Sequence, residues 1–237
     1  MGDRKDWLEW HGPYDDPGSP LSARLAAVQE EIRRALPAAP AEPFRVVGVC
    51  AGQGRDLIPV LAERGDLAGR VRARLVELDP RNAALARRAA ETAALSCVDI
   101  VEGDASYVGA YAGYVPADLV LLCGVFGNIP DADIFHTIAC TPQLVAHRGI
   151  VIWTRNRRAP DLTPAIRRAF AGAGFREEAF LAPEGSLWSV GVARFEGRSA
   201  PADPAEKLFT FQDEPSPDGG RAAVRGSDVA AQGSTGT

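Results

Sequence analysis

From Phe44 onward, apolar runs alternate with helical patterns, and this alternation constrains the fold more than any other feature of the chain. Strand candidates lie at 44–50, 71–78, 97–102, 117–123 and 147–154, with helical patterns near 54–65, 81–94, 131–144 and 162–172. Strands separated by helices pair in parallel, and the crossovers place helices on both faces of the sheet. The ending breaks the pattern. Runs at 174–181 and 187–195 are joined by Ala182-Pro183-Glu184-Gly185-Ser186, too short for a helical crossover, so they read as an antiparallel hairpin. The expected architecture is α/β, a seven-stranded sheet that is mostly parallel with a C-terminal antiparallel hairpin and helices on both faces.

An N-terminal extension precedes the sheet. Residues 1–20, including Trp7, Trp10, His11 and Tyr14, read as an irregular aromatic segment that packs onto something. Leu21, Leu25, Val28, Ile32 and Leu36 then form one apolar stripe of a helix, with Ser19 or Ser22 as its cap. Pro37 to Pro43 ends that helix. We divide the chain into 1–43, a lid or pocket wall or else a dimerisation element; 44–197, a ligand-binding domain; and 198–237, a tail. In the tail, Leu208-Phe209-Thr210-Phe211 is expected to dock and the chain from Asp213 to be disordered.

Bulk properties remove several function classes. The net charge of −5 argues against general nucleic-acid binding. No run approaches the roughly 18 apolar residues of a membrane span, and the polar start Met-Gly-Asp-Arg-Lys-Asp lacks the core of a signal peptide. Cys50, Cys97, Cys123 and Cys140 are scattered without a C-x-x-C pair, which reads as free thiols in a reducing cytoplasm. The three histidines, His11, His136 and His147, form no clustered ligand set along the sequence, so no metal site is expected.

The first strand ends in Val46-Val47-Gly48-Val49-Cys50-Ala51-Gly52-Gln53-Gly54-Arg55-Asp56-Leu57. Glycine allows positive φ and lets a ligand approach backbone without meeting a Cβ. The second run ends in Glu77-Leu78-Asp79-Pro80, acid suited to ribose hydroxyls. Asp before Pro also starts helices, which assigns capping to Asp79 and the sugar to Glu77. The dinucleotide fingerprint G-x-G-x-x-G fails, because Leu57 stands at its third glycine.

Over residues 44–196 the chain resembles the class I S-adenosylmethionine-dependent methyltransferases, a Rossmann-like family. The resemblance rests on four ordered motifs and the hairpin: Val47–Gly54, Val76–Pro80, Glu102-Gly103-Asp104-Ala105 and Ala117–Cys123. Two departures stand in the first motif, where Gly48 replaces the usual acid and Cys50 the usual first glycine. The resemblance implies S-adenosyl-L-methionine as cofactor. It implies that Cys50, Ala51, Gly52 and Gly54 underlie its methionyl part, that Glu77, beside Leu78, holds the ribose, and that Asp104 and Ala105 meet the adenine. Asp104 also reads as a plain helix cap. Cys123, Gly124 and the loop to Ile129 would line the methyl-transfer position.

Methyl transfer from a sulfonium needs mainly a positioned nucleophile. His11, Tyr14 and Asn128 are the candidate catalytic residues, although Asn128 sits in Gly-Asn-Ile-Pro and lacks the Asn-Pro-Pro-Tyr pattern of relatives that methylate amide or ring nitrogens. His136 and His147 read as ordinary surface or core histidines. Arg155, Arg157 and Arg158, at the ligand end of the fifth strand, read as a solvated loop or an anion subsite. The expected activity is methylation of a small molecule at oxygen or nitrogen by a cytoplasmic monomer or homodimer. Competing readings are a nicotinamide-dependent oxidoreductase and a non-catalytic cofactor-binding protein on the same scaffold.

Overall fold

The computed structural model describes residues 6–37, 43–67 and 69–211. The disorder expected from Asp213, and most of the linker after Pro37, fall outside them. Seven strands form one sheet: β1 (Phe44–Val49), β2 (Val71–Glu77), β3 (Val98–Glu102), β4 (Ala117–Leu122), β5 (Val145–Asn156), β6 (Phe175–Leu181) and β7 (Trp188–Phe195). Their order is β3-β2-β1-β4-β5-β7-β6. Strands β1 to β5 pair in parallel, while β7 runs antiparallel to both β5 and β6. This is the sheet expected from the alternating runs and the short 182–186 junction.

Alternation along the central strands feeds two cores. Val47, Val49, Val120, Leu122, Val151 and Trp153 point to one face, where α4 (Asp131–Cys140) and α5 (Thr163–Gly172) cover them. Val46, Leu119, Leu121, Ile150 and Ile152 point to the other, beneath α1 (Pro20–Ala35), α2 (Ile58–Glu63) and α3 (Pro80–Thr92). Burial on both faces explains why these strands read as continuous apolar runs. Trp153 lies directly over Gly191, where an added Cβ would come within 2.1 Å of its ring, and it stacks on Phe170 at 5.8 Å. Only a residue without a side chain fits opposite that indole.

Caps set the helix starts. Ser19 accepts the Ser22 N–H at 3.0 Å with Pro20 at the first helical position, and Asp79 accepts the Arg81 N–H at 2.9 Å ahead of Pro80. Three elements differ from the sequence expectation. Residues 9–15 form a 3₁₀ helix rather than an irregular segment. The helix expected from Gly54 begins at Ile58, because Gly52 (φ +55°) and Gly54 (φ +70°) keep the chain in a tight loop through Leu57. The helix expected to reach residue 144 stops at Cys140 and continues as a 3₁₀ turn, since Pro142 has no N–H to extend the α-helical ladder.

Candidate functional site

The C-terminal ends of β1, β2 and β4 open into a cavity of about 440 Å³, within the range of roughly 300–1,000 Å³ typical of small-molecule sites. Its floor is backbone. Cys50 (φ +51°) and Gly52 turn the chain under the cavity, and Ala51 and Gln53 line it as well. Glu77, at the end of β2, is buried and faces this loop. Its Oε2 accepts the Gly52 N–H at 2.7 Å, and its Oε1 accepts the Asp79 N–H at 2.9 Å. Burial pushes the carboxyl pKa up, and the two backbone N–H groups offset part of that rise. Each carboxylate oxygen has lone-pair capacity for one further donor. Asp79 caps α3 and pairs with Arg81 at 2.7 Å, so the two acids divide their work as cap and cavity acceptor.

The roof comes from both ends of the described chain. Trp7, Trp10, His11 and Tyr14 line the cavity with Phe211. Edge-to-face contacts tie them together: Trp7 to Trp10 at 6.1 Å, Trp7 to Phe211 at 5.7 Å, and Trp10 to Tyr14 at 5.8 Å between ring centroids. His11 spans floor and roof. A Cβ on Gly52 would lie 2.4 Å from His11 Nε2, so glycine is required where the imidazole closes over the loop.

The ionisation of the roof follows from its contacts. His11 Nδ1 lies 2.7 Å from the Trp7 carbonyl oxygen. A carbonyl only accepts, so Nδ1 carries the proton, and in the neutral ring Nε2 is the bare nitrogen. Burial holds the His11 pKa below its ordinary value of 6.5. Tyr14 accepts a hydrogen bond from Arg24, and burial pushes its phenol up to about 12. It is a proton donor at neutral pH and not a base. Asn128 lines the cavity and donates from Nδ2 to the Gly124 carbonyl at 2.6 Å. Cys123 and Gly124 line the β4 side, where the Gly124 N–H donates to Thr154 Oγ1 at 2.8 Å.

Not every sequence candidate reaches the cavity. Gly54 lies at the far side of the loop, packed against Ile58 and Leu75. Asp104 Oδ1 accepts the Ser106 N–H at 2.8 Å, and Ala105 is buried with its carbonyl bonded to the Tyr111 hydroxyl; neither residue is among the cavity lining. Of the arginines at the end of β5, Arg155 donates to the Phe126 carbonyl and Arg157 to the Ser186 carbonyl at 2.7 Å, and Arg155, Arg157 and Arg158 are all outside the cavity lining. His147 Nδ1 is 2.9 Å from the Gly197 carbonyl oxygen, away from the site.

Sequence reasoning assigns no cavity role to Asp56, Arg55 or Phe211, the last being expected only to dock with the tail. Asp56 lines the cavity, and desolvation raises its pKa against the opposing charge of Arg24. Arg55 joins floor to roof, with Asp15 at 2.7 Å and Gln53 at 2.9 Å. An acid directly after a glycine loop and before a helix was the signal available for Asp56. Phe211 had no local signal toward the cavity, because only the path of the tail carries it there.

No family model matches the sequence, and a search of curated proteins finds no match. Solved structures do match the fold. A magnesium protoporphyrin IX methyltransferase from Synechocystis PCC 6803 with bound S-adenosylmethionine superposes with a TM-score of 0.60 at 13% identity, covering 81% of this chain and 92% of that one. An O-methyltransferase family protein from Burkholderia thailandensis gives 0.57 at 17% identity over 74% of this chain. An O-methyltransferase family 2 protein from Planctomyces limnophilus, in complex with apigenin, gives 0.54 at 19% identity over 73%. The chain spans 56% and 59% of the lengths of these last two. The fold is therefore that of the class I S-adenosylmethionine-dependent methyltransferases, with the mostly parallel Rossmann-like sheet and the C-terminal antiparallel hairpin expected above.

Proposed function

We propose that this protein is a methyltransferase that binds S-adenosyl-L-methionine and methylates a small-molecule acceptor at oxygen or nitrogen. The observation that carries the reading is the pairing of Gly52 and Glu77 at the mouth of β1 and β2, where a positive-φ glycine and a buried carboxylate share one hydrogen bond on the cavity wall. A Cβ at residue 52 would fill the space beneath His11, so the cradle depends on bare backbone. The donor set suits an adenosyl amino acid. Glu77 would accept both ribose hydroxyls through its remaining lone pairs, each charged hydrogen bond contributing on the order of 1.5–3 kcal/mol. Asp104 stands outside the cavity lining; one residue past Gly103, whose N–H donates to the Glu77 carbonyl at 2.9 Å, it is the proposed acceptor for the adenine amino group where that base would extend beyond the cavity rim.

When bound, the cofactor supplies a methyl group on a positively charged sulfur, an activated carbon for in-line displacement. The protein's task is then orientation and proton management. The aromatic roof of Trp7, Trp10 and Phe211 would grip a planar or apolar acceptor and exclude water above the floor. His11 Nε2, deprotonated at neutral pH, would take the acceptor's proton as the bond to carbon forms. Tyr14 would donate a hydrogen bond, and Asn128 would position the acceptor from the β4 side. Among the described residues no helix is long and apolar enough to cross a membrane.

Calorimetry with S-adenosylmethionine and its demethylated product tests the reading. Micromolar binding of either ligand is expected, and no heat for both on folded protein would overturn it. A panel of phenols, carboxylic acids and amines then identifies the acceptor. Binding without turnover across the panel would favour a non-catalytic role on this scaffold.

A further inference from the structure

The tail crosses the face of the domain carried by α4 and places a third side chain beside two that the helix already presents. Residues four apart on a helix share one face, so His136 and Cys140 point together. Glu206 reaches them from the tail. His136 Nε2 is 3.0 Å from Glu206 Oε1, and Cys140 Sγ is 3.6 Å from each of those two atoms. We propose that His136, Cys140 and Glu206 form a binding site for a divalent transition metal of the zinc type, which clamps the tail to α4.

The geometry and the chemistry of the three groups agree. A tetrahedral zinc ion binds nitrogen and oxygen at about 2.0–2.2 Å and sulfur at about 2.3 Å, which spaces neighbouring ligand atoms roughly 3.3–3.6 Å apart. The observed triangle of 3.0, 3.6 and 3.6 Å is close to one face of that tetrahedron. An imidazole, a thiolate and a carboxylate together favour zinc or cobalt over calcium or magnesium, which take oxygen ligands. The Lys207 carbonyl oxygen, 3.2 Å from His136 Nε2, or a water would supply the fourth position. His136 is exposed, which gives the ion an entry path, and Cys140 is buried beneath it. On binding, the Cys140 thiol loses its proton to solvent and its sulfur donates a lone pair to the metal. His136 binds through Nε2 and keeps its proton on Nδ1.

None of the three lines the cofactor cavity, so the site holds structure rather than the reacting atoms. What it holds is the tail. The Val108 N–H donates to the Glu206 carbonyl at 3.0 Å, the Leu208 N–H to the Ser106 carbonyl at 2.7 Å, and Thr137 Oγ1 to the Leu208 carbonyl at 2.8 Å. Leu208 and Phe209 are buried, and Phe211 ends the run against Trp7 in the cavity roof. Glu206 is five residues before Phe211. A metal at this point would fix the segment that completes the roof.

The test uses the tag-free full chain after dialysis against a chelator. Titration with Co²⁺ should give one ion per chain and a near-ultraviolet thiolate-to-cobalt charge-transfer band, which Zn²⁺ displaces. Cys140→Ser should abolish the band, while the same change at Cys97 should leave it. His136→Ala and Glu206→Gln should each weaken Zn²⁺ binding by at least about tenfold, as metal-site substitutions do. Zn²⁺ should also slow proteolysis of the tail beyond Gly197. The proposal fails if no charge-transfer band forms, if the band survives in Cys140→Ser, or if Zn²⁺ affinity is unchanged in His136→Ala. That last variant alters an exposed side chain and keeps the test decisive should Cys140→Ser not fold.

Discussion

The floor and the roof of the cavity are built on different physical principles. The floor is backbone and one acid, contributed by the adjacent parallel strands β1 and β2, and its shape follows from φ angles at Cys50 and Gly52 and from the reach of Glu77. The roof is side chain, contributed by two segments at opposite ends of the described chain, Trp7–Tyr14 and Phe211. A floor of this kind recognises what is constant in a ligand, because backbone N–H groups and a carboxylate present fixed donors and acceptors. A roof of rings recognises shape and apolar area. In the proposed enzyme the constant ligand is the cofactor and the variable one is the acceptor, so substitutions in the two regions should separate into different kinetic constants.

His11→Asn should show the largest effect. Loss of a general base typically lowers the rate by about 10²-fold or more, and kcat should fall that far while cofactor affinity holds. The pH dependence has a definite sign. The folded pKa of His11 is depressed, so the ring is neutral at pH 7 and the acid limb of kcat/KM, which reports the free enzyme, lies below pH 6.5. Protonation is disfavoured in the folded state, so this group costs stability as pH falls through its unfolded value, and none above it. Histidine proton shifts followed by NMR give the value directly. A His11 pKa above 6.5, or an unchanged kcat in the variant, would remove the base.

Glu77→Ala comes next and should act on the other constant. Losing a charged acceptor from two hydrogen bonds should weaken cofactor binding at least about tenfold, measured by calorimetry. A circular dichroism spectrum like that of the parent would show that the loop stays folded once the Gly52 N–H has lost its partner. Unchanged affinity would break the assignment of the floor to the sugar.

This contrast also explains how much could be read from the sequence. The seven strands, the antiparallel ending and the cap at Asp79 were all legible, because each rests on local pattern: apolar runs, a junction too short for a helix, an Asp before a Pro. Gly52 and Glu77 came from the same kind of signal. What stayed hidden depends on distant contacts. Asp56 sits within the glycine-loop run from Val46 to Leu57 and lines the cavity wall, yet the groups beside it, Arg24 and Cys123, come from elsewhere in the chain. The cluster of His136, Cys140 and Glu206 was invisible because its third member is brought in by the path of the tail, 66 residues beyond Cys140.

Phe211→Ala should have a smaller effect than Glu77→Ala and should sharpen the division. Removing one ring of an edge-to-face pair with Trp7 forfeits roughly 0.5–1.5 kcal/mol beyond area burial. The KM for the acceptor should therefore rise several-fold, while calorimetric affinity for the cofactor stays within about twofold. Trp7 sits 5.7 Å away, so its fluorescence reports whether the remaining ring moves. An equal loss in both constants would mean that roof and floor act as one unit.

Asp15→Asn should have the smallest effect, and it probes the seam between the two regions. Asp15 lies in the roof segment and accepts from Arg55 of the floor loop at 2.7 Å, but its side chain is 72% exposed. An exposed ion pair is screened by salt and offset by the side-chain order it requires. Arg55 also retains Gln53, and its carbonyl retains Gln29 at 2.8 Å, so the loop keeps its position without Asp15. Cofactor affinity should change by less than about twofold at physiological ionic strength, and the difference should vanish as salt screens the pair. A tenfold loss that persists in high salt would show that the roof is held down by charge rather than by its rings. The aromatic contacts of Trp7, Trp10 and Phe211 would then be a consequence of closure and not its cause.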